Sequence, residues 1–150
     1  MNKAVGIEEA NSGTNAADQP RILVVEDDFL LGSMIEEALR GAGFVVVGIA
    51  IDGRQALALA SSDCPDIAIM DVHLANGDDG VDTALELAGT CGVRSLFVTA
   101  HTDDATRSRA EPARPLGWLV KPFRLAALTS AVSDALSTLA GERNGGEGTA

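Results

Sequence analysis

Short apolar runs that end in acids, a hydroxyl or a lysine, alternating with helical patterns, constrain this chain more than any other feature. Ile22-Leu23-Val24-Val25 runs straight into Glu26, Asp27 and Asp28. Further runs lie at 45–50, 67–70, 95–98 and 118–120, and the last three end at Asp71, Thr99 and Lys121. A continuous apolar run of about 4–8 residues fits a strand buried on both faces. Between the runs, apolar residues fall at helical spacing. Residues 29–42 carry Leu30, Leu31, Met34, Ile35, Ala38 and Leu39, and 53–61 carry Ala56, Leu57 and Ala60. Residues 81–87 are helical, and 124–139 place Leu125, Leu128, Val132, Leu136 and Leu139 on one stripe. A fourth helix within 101–111 is stopped early by Pro112 and Pro115, which leaves an irregular link over 112–117.

Five strands alternating with five helices predict an α/β fold with a parallel sheet covered on both faces. A chain of 150 residues is too short for a closed eight-stranded barrel. A doubly wound open sheet remains, with its ligand site at the carboxyl ends of the strands. Residues 1–20 are small and polar and predict a disordered extension. The folded domain is expected over 21–140 and a flexible tail over 141–150.

Charge narrows the partners. The net charge is -11, from 22 acids against 11 bases, which argues against nucleic acid and anionic membranes. It leaves open a cation site or a basic protein partner. Cys64 and Cys91 match neither a disulfide framework nor a zinc site and read as free thiols in a reducing cytosol. With no apolar leader and no apolar run near 18 residues, the expectation is a cytoplasmic protein.

In a doubly wound sheet the residues just past the strands converge. Here that brings together Glu26, Asp27, Asp28, Asp71, Thr99 and Lys121. Crowded carboxylates need a counter-charge, and all-oxygen ligands favour Mg²⁺. A lysine and a hydroxyl opposite a cation-bound carboxylate suit a phosphoryl group, and the carboxylate between them can attack phosphorus. Lys121 is the one lysine within 21–140, where every other base is arginine. A point charge on a flexible stem suits a phosphoryl oxygen that comes and goes.

These motifs, in this order, resemble the receiver domain of two-component response regulators. The matching segments are Ile22-Leu23-Val24-Val25-Glu26-Asp27-Asp28, Ile67-Ala68-Ile69-Met70-Asp71-Val72, Val98-Thr99-Ala100 and Trp118-Leu119-Val120-Lys121-Pro122-Phe123. The resemblance implies a flavodoxin-like strand order, 2-1-3-4-5, and a stand-alone, single-domain regulator. It implies Asp71 as phosphoacceptor, with Mg²⁺ held by Glu26, Asp27, Asp71 and the backbone carbonyl of His73. Thr99 and Lys121 would bind the phosphoryl group, and Trp118 takes the aromatic switch position usually held by tyrosine or phenylalanine. The Lys121–Pro122 bond would be cis. The implied donor is a histidine kinase or histidine phosphotransferase, and the implied output is contact with a downstream protein. The final helix is apolar enough to pair with a second copy of the chain.

Several residues carry two readings. Asp28 is at least as well placed to cap the following helix as to bind metal. Asp78, Asp79, Asp82, Asp103 and Asp104 read as solvated loop and first-turn acids. His73 and His101 lie two residues beyond Asp71 and Thr99, where they either tune access to the acyl phosphate or are plain exposed loop histidines. A receiver-like interaction module without phosphorylation, or a phosphate sink, would share this pattern. A phospho-aspartate hydrolase is less suited, because such enzymes carry a second aspartate where His73 stands.

Overall fold

The computed structural model of the chain describes residues 19–100 and 102–149. Five parallel strands form one sheet in the order β2-β1-β3-β4-β5. They are β1 (Arg21–Val25), β2 (Val45–Ala50), β3 (Ile67–Asp71), β4 (Arg94–Thr99) and β5 (Gly117–Val120). Five helices connect and follow them: α1 (Phe29–Gly41), α2 (Gly53–Ser62), α3 (Gly80–Cys91), α4 (Asp104–Ala110) and α5 (Leu125–Thr149). The doubly wound sheet and its order are those expected, and the Lys121–Pro122 peptide is cis. Among the described residues no helix is long and apolar enough to cross a membrane.

Alternation along each strand divides the interior into two cores. Ile22, Val24, Ile67, Ile69, Leu96 and Val98 face α1 and α5, where Ile35, Leu39, Leu128 and Val132 meet them. Leu23, Val25, Ala68, Met70 and Phe97 face the other way, onto Ala56, Ala60, Val81, Ala84 and Leu87 of α2 and α3. All of these side chains are buried.

Each of the first four helices starts on an aspartate. Asp28, Asp52, Asp79 and Asp103 accept hydrogen bonds from free backbone amides of the first turn. Asp28 is therefore a cap, accepting from Leu31 N at 3.1 Å. Asp79 and Asp103, expected as solvated acids, are caps, because an acid one residue before a helix start finds unpaired N–H groups there.

Two helix ends differ from the pattern-based reading. α3 runs to Cys91 and closes on Gly92 in the left-handed region (φ 71°), whose N–H returns to Ala88 and Leu87. α5 continues past Ala140, where composition predicts a tail. There Arg94 Nη1 and Arg114 Nη2 pair with Glu142 Oε1 at 2.6 and 3.1 Å. The expected short fourth helix is present: α4 spans seven residues and yields to a 3₁₀ turn over Glu111–Ala113 before the irregular approach to β5.

Candidate functional site

The sheet's own hydrogen bonds aim the site. Glu26 N donates to Ala50 O at 2.8 Å and Lys121 N donates to Thr99 O at 2.7 Å. The ladder thus runs one residue past β1 and β5, while Asp71 and Thr99 close β3 and β4. These four residues end up at one edge of the sheet because parallel strands all present their carboxyl ends on the same side. Glu26 is 1% exposed, Thr99 2% and Asp71 5%, while Asp27 is open to solvent.

Lys121 sits between two of the carboxylates. Its Nζ donates to Asp71 Oδ2 at 3.0 Å and lies 3.1 Å from Glu26 Oε1. The second contact is ionic: Oε1 is buried and accepts no well-aligned hydrogen bond, whereas Glu26 Oε2 accepts from Asp28 N at 3.0 Å. Carboxylate oxygens of Glu26, Asp27 and Asp71 lie within 4.8 Å of one another.

Three carboxylates therefore face one ammonium. The Glu26 carboxyl is pushed up to about 7: burial raises it most, the Asp28 amide opposes this, the Asp71 charge adds to it, and Lys121 only partly compensates. Burial alone would lower Lys121, but its hydrogen bond to Asp71 and the charges of Asp71 and Glu26 outweigh that and raise it. A buried carboxylate oxygen short of donors, beside two further oxygen ligands, fits a hard divalent cation.

The remaining expected residues fall around this crevice in different ways. His73 presents an exposed side chain, and its amide points at Asp71 Oδ1 from 3.4 Å. Its backbone pairs with Asp79 in an antiparallel bridge. His101 lies outside the described residues. Trp118 pairs in register with Phe97, and their rings stack at 4.5 Å with 14° between planes. The Arg107 guanidinium lies 5.0 Å over the indole. The aromatic at this position is thus in contact with both a ring and a cation.

Some structural roles escaped the reading of the sequence. Asp78 Oδ2 accepts from Gly53 N at 2.9 Å, and Arg109 pairs with Asp79 at 2.9 Å. The cap at Asp79 was legible from its place before Gly80. The Arg109 and Gly53 contacts were not, since their partners are 30 and 25 residues away.

The sequence profile of the response regulator receiver domain matches residues 22–133. The chain belongs to the response regulator receiver family. It is 37% identical over 123 residues to the transcriptional regulatory protein PdtaR of Mycobacterium tuberculosis, covering 82% of this chain and 60% of that protein. It is 33% identical over 132 residues to the phyllosphere-induced regulator PhyR of Methylorubrum extorquens, covering 87% of this chain and 48% of the other. This receiver chain thus spans between about half and three fifths of the length of these relatives. Among solved structures, the signal receiver domain of a modulated diguanylate cyclase from Desulfovibrio desulfuricans superposes with a TM-score of 0.73 at 34% identity, over 81% of this chain and 96% of that one. A CheY-like receiver domain protein from Methanospirillum hungatei superposes at 0.76 with 21% identity, over 83% and 99% of the two chains, which attests the fold. Receiver domains are signalling modules with an acidic pocket for Mg²⁺, and this receiver carries the corresponding cluster of Glu26, Asp27 and Asp71.

Proposed function

We propose that this receiver takes a phosphoryl group onto Asp71 from a phosphohistidine of a histidine kinase or histidine phosphotransferase, and signals through protein contacts. One observation carries the reading: the Lys121 ammonium is shared by Asp71 Oδ2 and Glu26 Oε1, beside buried Thr99, in a crevice of uncompensated carboxylates. In the transfer an Asp71 carboxylate oxygen forms a bond to phosphorus as the donor's N–P bond breaks in line, and the imidazole leaves with the electron pair. Lys121 then pairs with a phosphoryl oxygen in place of Asp71 Oδ2, and Thr99 donates to another. Glu26, Asp27, Asp71 and the His73 carbonyl would hold Mg²⁺, which when bound neutralises charge on the phosphoryl oxygens.

The donor must approach from above the strand ends. Phe29 and Leu30 are 82% and 68% exposed at the start of α1, next to Asp27 and Asp28, and offer an apolar rim for it to cover. Acetyl phosphate with Mg²⁺ should raise the intact mass by one phosphoryl group and change Trp118 fluorescence. Chelating the metal or making Asp71→Asn should abolish the adduct. An adduct that persists in Asp71→Asn overturns the assignment.

A further inference from the structure

The loop that follows Asp71 is a small hairpin. Gly80 N donates to Val72 O at 2.6 Å and Leu74 N donates to Asp78 O at 3.0 Å, on either side of the His73–Asp79 bridge. Only glycine fits at its foot: a Cβ on Gly80 would lie 1.8 Å from the Asp71 carbonyl oxygen. The start of α3 therefore rests on the backbone of Asp71, and the backbone of His73 is placed by its pairing with Asp79.

Two consecutive acids tie this hairpin to three helices. Asp78 Oδ2 takes the Gly53 amide at the start of α2. Asp79 uses Oδ1 to cap α3, accepting from Val81 N at 2.7 Å and Asp82 N at 3.2 Å, and offers Oδ2 to Arg109 of α4 at 2.9 Å. Arg109 also reaches Asp82 Oδ1 at 3.4 Å. α4 itself is short and buries only Ala110. Beyond that contact two of its arginines reach neighbouring elements, Arg107 over Trp118 and Arg109 to Asp79 of the hairpin.

We propose that Arg109 is a positioning residue for the cation site: through Asp79 it holds the hairpin that carries the His73 carbonyl, so the seating of α4 sets the affinity for Mg²⁺. This rests on the reading of Glu26, Asp27, Asp71 and the His73 carbonyl as the cation's ligands. The coupling is reciprocal, so a bound cation favours the Arg109-paired seat of α4. Exposed ion pairs act modestly, and the expected change in the dissociation constant is about threefold.

The test is an Mg²⁺ titration of the full chain followed by amide chemical shifts, with amide hydrogen exchange on the metal-free protein. Arg109→Gln should weaken Mg²⁺ binding about threefold and reduce protection of the Leu74 and Gly80 amides, leaving β1 amides unchanged. Arg109→Lys should restore most of the affinity. Asp79→Asn keeps a cap acceptor but loses the charge, and combining it with Arg109→Gln should add nothing further. Unchanged Mg²⁺ affinity in Arg109→Gln, with binding still lost in Asp27→Asn, overturns the role of Arg109 and leaves the cation site standing. Absence of Mg²⁺ binding to the unaltered protein overturns both.

Discussion

The two faces of the sheet are built differently. Toward α1 and α5 the strands meet Ile35, Leu39, Leu128 and Val132, large branched side chains on long helices. Toward α2, α3 and α4 they meet mostly alanine: Ala56, Ala60, Ala84 and Ala110. Small side chains bring helices close but bury little apolar area per residue. The second face also carries polar ties that lead toward the crevice, among them the Asp79 cap, the Arg109 pair and the Arg107–Trp118 contact. Burial is hard to undo, whereas ion pairs exchange partners at little cost. The face with the weaker ties is thus the one joined to the crevice through the hairpin after Asp71.

The largest predicted effect breaks the comparison from the rigid side. Leu39→Ala or Leu128→Ala should each cost about 3 kcal/mol by urea unfolding, since both are fully buried. On the other face Ala56→Gly should cost about 1 kcal/mol, most of it helix propensity. A loss on the alanine face equal to that of Leu39→Ala would erase the distinction.

Next comes Asp79→Ala, which removes both a cap and the partner of Arg109. About 1–2 kcal/mol should be lost, mostly from the cap, and the urea midpoint should show it. The same residue sharpens the comparison through pH. Burial alone would raise the Asp79 carboxyl, but the Arg109 hydrogen bond, the Asp82 and Val81 amides and the Arg109 charge together lower it. The unfolded chain therefore binds the proton more readily. The stability this residue adds is present above the ordinary aspartate value of about 3.9 and is lost as pH falls through its lower folded value. Urea midpoints measured below about pH 4 should fall less steeply in Asp79→Asn than in the unaltered protein.

The smallest effect concerns α4. Arg107→Ala should cost about 0.5–1 kcal/mol and shift Trp118 emission, because the guanidinium leaves the ring face while Phe97 stays stacked beneath it. Unchanged emission would mean that the contact does not report on the seat of α4.

Much of this receiver was legible before folding. Continuous apolar runs such as 22–25 and 67–70 leave few options besides buried parallel strands, and the residues after them mark the crevice. Asp28 as a cap followed from its place before a helix. The pairing of Glu142 in α5 with Arg94 was not legible, because Arg94 lies 48 residues earlier in the chain. The Asp78–Gly53 and Asp79–Arg109 contacts were hidden for the same reason, since their partners are remote in sequence, whereas the Asp79 cap is local.

By itself the sequence determined the strand–helix alternation, the doubly wound sheet and which acids, hydroxyl and lysine stand at the strand ends. Those follow from local periodicity and from the rule that parallel strands share a carboxyl edge. Only the tertiary structure decided how the charges pair. It set one ammonium between Glu26 and Asp71, left a buried Glu26 oxygen short of donors, and tied α4 to the loop after Asp71 through Arg109. Periodicity selects the face a residue occupies, but the partner of a charge depends on distances between segments far apart in the chain, which packing alone sets.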